Sequence, residues 1–309
     1  QLVYQGKKIP IDIKLKGSTA LEHSAHWKKS YRIKIKGFNN IFGMKDFAIM
    51  APERRNFLFE WLLRKIMKKE GVISKKYGFI KVSINDEKFG LYAYDERPSK
   101  IAIESNKKRE GPIIRLNSHA LWLEKAAYET GALSPAWTDY FYSADVEALD
   151  IEKILNNKEL FSQFIQAKNN FNLFREGKLS VEKVFDVNLL SKFLAVSAIT
   201  GGMHGAIVFN SFFYYNPITG LLEPIPDDSW SEVIFYPERK KINLSNRFYI
   251  DEFTRLLFKD LDFLEMYLSE LRRLSNKKYT DKLFKDLEVE LSDLNKVFKI
   301  YYPRILNIK

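Results

Sequence analysis

The chain has 309 residues, no cysteine, four histidines and a net charge of +11, and 46% of its residues are hydrophobic. This length and apolar content exclude an intrinsically disordered chain and fit two domains or one two-lobed domain. The absence of cysteine excludes disulfide scaffolds, thiolate metal sites and thiol catalysis, and four scattered histidines argue against a histidine metal centre. No run of about 18 apolar residues is present, so we predict no membrane span.

The positive charge is concentrated in the first third of the chain. Residues 1–110 contain 25 Lys and Arg against 12 Asp and Glu, whereas residues 111–309 contain 25 against 27. A basic surface attracts phosphate groups, nucleic acids or acidic proteins. The alternative is a general lysine bias of the genome, which places lysines on solvent-exposed surfaces. Such a bias would affect both parts of the chain alike.

The first third of the chain is predicted to be rich in β-structure. Residues 11–17 and 31–37 alternate apolar and polar side chains, so we expect two neighbouring strands of one antiparallel sheet. Helical spacing of apolar residues predicts a helix over about 54–69, which ends at Gly71. Residues 78–96 then read as a hairpin of two strands.

A charged connector over residues 105–112 is the predicted domain boundary. We therefore expect a basic, β-rich lobe over 1–110 and a mainly helical lobe over 111–309. The second lobe is predicted to contain a strand at 113–116, helices at 145–156, 158–174 and 188–199, a hairpin over 208–225, and two amphipathic helices over 251–308.

The adjacent acids Asp227 and Asp228 follow the end of the second hairpin strand. Asn210 is predicted to lie in the partner strand, close to these acids across the hairpin. An Asn and an Asp held on β-structure can bind Mg²⁺ through hard oxygen ligands. The alternative is a solvated turn, in which Asp is common.

The basic segment 28–34 is the second candidate for chemistry. Alternation places Lys29 on the same face as Tyr31 and Ile33, so a buried Lys29 would need an anionic partner. Glu96, at the end of another strand, is the candidate partner, and kinases use such a lysine–glutamate pair near phosphates. The alternative is a surface strand whose lysine extends to solvent.

His204 is the third candidate, because it lies in the glycine-rich segment 201–205 after a predicted helix. A turn of this kind can expose the imidazole for proton transfer. A single loop histidine can equally have a structural role. The segment lacks the spacing of a Walker A loop or a dinucleotide-binding fingerprint.

Four segments in this order resemble the CotH kinase family, the atypical protein kinases related to spore coat protein H. Residues 28–34 and 42–47 are similar to its lysine-pair strand and Gly-aliphatic-Lys turn. Residues 84–96 are similar to its Asn-Gly-Glu…Gly-x-Tyr…Glu hairpin, and residues 210–228 to its Asn-Tyr…Thr-Gly…Pro-Trp-Asp element. The helix through Leu62 and the tail also resemble the family, so the likeness covers nearly the whole chain.

The resemblance implies an α+β, two-lobed atypical protein-kinase-like fold that binds ATP with Mg²⁺ or Mn²⁺. Its lobes would be a β-rich N-lobe with one helix and a mainly helical C-lobe that contains a β-hairpin. The implied catalytic residues are Lys29, Glu96 and His204. The implied cofactor-binding residues are Lys28, Lys29, Arg32, Glu96 and Arg115. The implied metal ligands are Asn210, Asp227 and Asp228.

Two departures from the family pattern bear on activity. The family has an acid in the loop before the Asn, but residues 202–209 contain none, and the Pro-Trp-Asp-x-Asp pattern is replaced by Pro-Asp-Asp-Ser-Trp at 226–230. Since positioning and electrostatics carry most of phosphoryl transfer, activity can survive with His204 as the base. An inactive pseudokinase fits the same departures.

The leading hypothesis is transfer of the ATP γ-phosphoryl group to a Ser or Thr hydroxyl of a protein, which could be acidic or rich in Ser and Thr. A kinase of a carbohydrate or small-molecule hydroxyl, and a pseudokinase that acts as a surface binding or adhesion module, are the alternatives. Nucleic-acid binding rests on charge alone. The resemblance favours a secreted or surface-associated protein, and oligomeric state is not predicted.

Overall fold

The computed structural model describes residues 1–17, 28–85, 87–121, 123, 141–229 and 251–303. Sheets in the N-terminal part and helices in the C-terminal part confirm the predicted α+β class. His23, His26 and Trp230 lie outside the described residues. Among the described residues, no helix is both long enough and apolar enough to cross a bilayer.

Among the described residues, the first five strands precede the first α-helix, the later strands are interspersed with helices, and three helices follow the last hairpin. The strands are β1 (Leu2–Tyr4), β2 (Lys7–Ile9), β3 (Ile11–Leu15), β4 (Tyr31–Ile35), β5 (Asp46–Met50), β6 (Tyr77–Ile84), β7 (Glu87–Glu96), β8 (Ile113–Leu116), β9 (Val146–Ala148), β10 (Phe212–Tyr215) and β11 (Leu222–Ile225). The α-helices are α1 (Phe59–Lys69), α2 (Lys100–Ser105), α3 (Ile151–Leu155), α4 (Lys158–Arg175), α5 (Val181–Val184), α6 (Val187–Thr200), α7 (Glu252–Phe258), α8 (Leu261–Leu274) and α9 (Lys277–Tyr301).

The chain divides into two compact units, each built from separated stretches of sequence. The first unit contains Gln1–Trp61, Lys76–Arg97 and Leu271–Lys309, and the second contains Leu62–Lys75 and Pro98–Glu270. These units differ from the predicted lobes over 1–110 and 111–309. The N-terminal part of the first unit ends at Arg97 rather than at residue 110, and this unit also contains Leu271–Lys309.

The first unit is built on an antiparallel five-stranded sheet with the order β3-β4-β5-β7-β6. Ile13 pairs with Ile33, so the predicted pairing of the first two long strands is confirmed. The hairpin β6–β7 is also present. Apolar side chains from the sheet and its loops, including Ile33, Met44 and Phe47, form the core of this unit.

The predicted helix at 54–69 begins later than its apolar spacing indicates. Residues 52–55 form a short 3₁₀ helix, and Asn56 and Phe57 then have φ angles of 52° and 60°. Because left-handed residues cannot continue a right-handed helix, helix α1 starts only at Phe59.

The C-terminal helix α9 belongs to the first unit and packs on its aromatic side chains. The ring centroid of Phe298 lies 4.8 Å from that of Phe79 and 6.4 Å from that of Phe57. Immediately after the helix, the Tyr302 hydroxyl donates to Glu53 at 2.9 Å and accepts from the ammonium of Lys28 at 3.0 Å. A partly buried Lys–Tyr–Glu chain therefore fixes the end of α9.

The second unit contains a four-stranded sheet with the order β11-β10-β8-β9 and most of the helices. Helices α4 and α6 occur close to their predicted ranges, and Asp186 caps α6 by accepting the N–H of Leu189. Three predictions in this part were wrong. Residues 145–156 form β9 and α3 rather than one helix, residues 208–211 precede β10 rather than belonging to it, and the tail forms three helices.

Aromatic rings form much of the second core. Phe253, on helix α7, is 1% exposed and packs against Phe171 of α4, Phe213 of β10 and Phe185, with ring centroids 5.6–6.2 Å apart. Burying several such rings supplies a large part of the apolar surface that this unit removes from water. The packing fixes the start of α7 against the sheet.

The hydroxyl chain at the end of α9 generates a stability prediction. Tyr302→Phe keeps the ring but removes the group that bridges Lys28 and Glu53, which leaves buried charged atoms with one partner fewer. We expect the free energy of unfolding of the first unit to fall by about 1–3 kcal/mol in urea titrations. Tyr301→Phe is the control, because that ring lies against Gly90, and we expect a change within about 0.5 kcal/mol. Equal stabilities of the two variants would contradict the structural role of the chain.

Candidate functional site

Lys28 and Lys29 have the opposite burial to the one that alternation predicts. Lys28 is 4% exposed and donates to the carbonyl oxygen of Leu91 at 3.1 Å as well as to Tyr302, whereas Lys29 is exposed. Burial lowers the pKa of Lys28, and the nearby Glu53 opposes that shift. Alternation fails because β4 begins only at Tyr31, so Lys29 lies outside the strand.

Glu96 is buried at the end of β7, but its cationic neighbour is Lys76 rather than the predicted Lys29. One carboxylate oxygen accepts the backbone N–H of Lys76 at 2.9 Å, and the other lies 3.9 Å from the Lys76 ammonium. Lys76 was not predicted from the sequence, because it precedes strand β6 and no alternation pattern assigns its side chain to a face of the sheet.

Arg32 and Arg115, both predicted to bind the cofactor, form ion pairs within their own sheets. Arg32 makes two hydrogen bonds to Asp46, at 2.9 and 2.5 Å. Arg115 pairs with Glu147 at 2.6 Å and lies 5.7 Å from the centre of the Phe212 ring. Bidentate pairing of this kind orients a guanidinium group and reduces its freedom to take another anion.

In the second unit, the segment after β11 is held by two cations from the region of α1. The Lys75 ammonium, whose side chain is 1% exposed, forms an ion pair with the Asp227 carboxylate. The guanidinium of Arg64 donates to the carbonyl oxygen of Pro226. A buried ammonium is costly unless it is paired, so Lys75 fixes the position of Asp227.

Asp228 faces a different environment from its neighbour because its backbone is left-handed, with φ of 48°. Its carboxylate lies 4.0 Å from Nε2 of His204. Asn210 Nδ2 lies 3.2 Å from the same nitrogen and donates to the His204 carbonyl oxygen at 3.0 Å. The structure thus brings Asp228, His204 and Asn210 together around one imidazole.

The hydrogen bonds of Asn210 determine which of its atoms faces outward. A carbonyl oxygen can only accept, so the atom facing the His204 carbonyl is Nδ2, and its second hydrogen points to His204 Nε2. Both amide hydrogens are used, which leaves Oδ1 for a cation. Asn210 reaches this position from the turn before β10, not from the partner strand as predicted.

The glycines around His204 allow the loop to approach the acidic segment. A Cβ on Gly205 would lie within 3.0 Å of both the Asp227 carbonyl oxygen and the Ser229 hydroxyl, and a Cβ on Gly202 would contact Leu63. These glycines are therefore required by close packing rather than by a phosphate-binding loop.

The donor set at Asp228 and Asn210 consists of hard oxygen atoms. Among the described residues, no three His, Asp or Glu side chains cluster as a ready-made metal site. Mg²⁺ is typically bound by one or two carboxylates together with substrate phosphates and water, so a small oxygen set fits a metal–nucleotide complex better than a resident metal.

Gly205→Ala tests the close approach of the two segments. The added methyl group has to displace the backbone at Asp227, so we expect a loss of about 1–3 kcal/mol of unfolding free energy in urea titrations. Adding Ser229→Ala removes the contact with the hydroxyl but not that with the Asp227 carbonyl oxygen. Recovery should therefore be partial, and wild-type stability of the single variant would disprove this packing.

Comparison with known families gives one result that covers most of the chain. The family model described as CotH kinase protein matches residues 13–233, more than two thirds of the chain. No curated protein matches the chain. The matched region includes the Lys75–Asp227 pair and the cluster around His204, and it ends before helix α7. The resemblance identified from the residues is confirmed, and the chain belongs to the CotH kinase family.

Proposed function

We propose that the protein is an atypical kinase that transfers the γ-phosphoryl group of ATP to a Ser or Thr hydroxyl of a protein, with Mg²⁺ or Mn²⁺. Membership of a family of kinases indicates a kinase-like function. The finer proposal rests on one observation. The Asp228 carboxylate and the Asn210 amide both lie near Nε2 of the His204 imidazole. Family membership also supports a protein-kinase-like, two-lobed arrangement as the expected fold.

In this proposal the two adjacent acids have different roles. Asp227 is engaged by Lys75, and its loss would remove a carboxylate that pairs with a buried ammonium. The left-handed backbone at Asp228 turns the second carboxylate towards His204, where Oδ1 of Asn210 provides a further oxygen. Asp228 and Asn210 would hold the metal–nucleotide complex, and the metal would neutralise the charge of the transferring phosphoryl group.

His204 would take the role of the acid that the loop lacks. In the neutral imidazole with its proton on Nδ1, the lone pair of Nε2 would accept the Asn210 amide hydrogen in the resting site. Asn210 would have to release Nε2 before this nitrogen could take the proton of a substrate hydroxyl, as the hydroxyl oxygen bonds to the γ-phosphorus and ADP leaves. The resulting imidazolium would be stabilised by the Asp228 carboxylate 4.0 Å away.

The two acids can be separated by matched substitutions. Asn is isosteric with Asp and also tolerates a left-handed backbone, so Asp228→Asn should leave unfolding free energy nearly unchanged. It should weaken Mn²⁺–ATP binding by about tenfold or more, measured by calorimetry, since a charged interaction contributes about 1.5–3 kcal/mol. Asp227→Asn should instead lower the unfolding free energy by about 1–3 kcal/mol, because the buried Lys75 ammonium loses a charged partner.

Phosphoryl transfer is tested with radiolabelled ATP and Ser/Thr peptides. His204→Ala should reduce transfer by about 10²–10⁴-fold while nucleotide binding persists. Binding of ATP by the wild type without transfer to any peptide or glycan would instead support a pseudokinase. If neither Mg²⁺ nor Mn²⁺ with ATP raises the melting temperature of the wild type, the proposal fails, because tight binding to the native state must stabilise it.

A further inference from the structure

Asp251 is a carboxylate that the proposed mechanism does not use, although it contacts the loop of the site. It precedes helix α7, beyond the end of the family match at residue 233. One of its oxygens, Oδ1, accepts the N–H of Thr254 at 2.9 Å and caps the helix. The other oxygen, Oδ2, accepts the N–H of Val208 at 2.7 Å.

The bond to Val208 acts on the segment that carries Asn210. Val208 is fully buried, and its carbonyl oxygen and that of Ile207 accept the N–H of Ser211, so residues 207–211 form a tight turn. The Ser211 hydroxyl also donates to the carbonyl oxygens of Gly205 and Ile207. Fixing the Val208 N–H therefore fixes the backbone from which the Asn210 side chain extends.

Helix α7 provides Asp251 with a rigid support. Phe253 and Leu257 are at most 1% exposed, and Thr254 is 3% exposed. Phe253 lies in the aromatic core with Phe171 and Phe213. An anchor on a packed helix can hold a loop more firmly than another loop residue could.

We propose that Asp251 is a positioning residue, which holds the Val208–Asn210 segment in the geometry that the metal–nucleotide site needs. This inference rests on the proposed function, and it assigns to the segment after the family match a direct part in shaping the site. A residue whose function was only to cap α7 would need one acceptor oxygen, whereas Asp251 uses two. The second oxygen, Oδ2, accepts the N–H of Val208 in the loop of the site.

Two substitutions remove the second acceptor while the helix cap stays. Asn and Ser are as good as Asp at the N-cap position, so each should keep the bond to Thr254. Asp251→Asn places an amide N–H₂ opposite the Val208 N–H, and Asp251→Ser has a side chain too short for both bonds. The matched control is Asp186→Asn, because Asp186 caps α6 with a single acceptor bond to Leu189.

The experiment measures Mn²⁺–ATP affinity by calorimetry and amide hydrogen exchange of the peptide covering 203–211. We expect both Asp251 variants to weaken Mn²⁺–ATP binding by about tenfold or more, as partners that orient ligand residues commonly do. Faster exchange of the Val208 amide should accompany the change, together with a lower melting temperature, because the buried Val208 N–H loses its acceptor. Asp186→Asn should alter neither affinity nor exchange at this peptide.

The outcomes separate this inference from the proposed function. Wild-type affinity in both Asp251 variants would overturn the positioning role and leave the proposed function intact. If the wild type binds no Mn²⁺–ATP, the proposed function fails, and hydrogen exchange then decides only whether Asp251 holds the Val208–Asn210 segment. Unchanged exchange at Val208 in the Asp251 variants would overturn it, and faster exchange that is absent from Asp186→Asn would support it.

Discussion

The buried ammonium of Lys75 is the constraint on which the organisation of the site depends. A lysine with a side-chain exposure of 1% requires an anion, and Asp227 supplies it from the segment after β11. Arg64 binds the preceding carbonyl oxygen, at Pro226. Together these cations fix the path of the chain at the end of the hairpin, so the next residue emerges from a defined point.

Two local features then separate the adjacent acids. The left-handed conformation of Asp228 turns its carboxylate away from the direction that an extended chain would give it, and strained residues of this type are concentrated at functional sites. Gly202 and Gly205 let the His204 loop lie directly against the acidic segment. Of these two consecutive acids, Asp227 therefore pairs with the buried Lys75 ammonium, and Asp228 faces the His204 imidazole.

Periodicity predicted the parts of this structure that depend on local spacing. The pairing of β3 with β4, the β6–β7 hairpin and helices α4 and α6 follow from alternation, helical spacing and caps. The same reasoning misplaced Lys29, because alternation was extended two residues beyond the start of β4.

The residues that complete the site could not be found in this way. Lys75 and Arg64 look like ordinary solvated cations in a lysine-rich sequence, and only the fold buries them. Asp251 caps helix α7, and its second bond joins positions 43 residues apart, which no local pattern reveals. Asn210 was expected to reach the acids across a strand pair, whereas it contacts His204 from the turn before β10.

The contacts of the basic residues in the N-terminal third show what some of its positive charges do. Arg32 is paired with Asp46, Lys36 is paired with Asp12, and Lys45 donates to the carbonyl oxygen of Gly37. Lys28 is buried against Tyr302. Some of these cations therefore help to hold the first unit together, while exposed lysines such as Lys29 remain to attract anions. Since a net charge raises the local concentration of an anionic ligand without orienting it, recognition has to come from a few directed groups. The uneven charge therefore explains how an anionic ligand would be attracted, whereas the geometry around His204 indicates where it would bind.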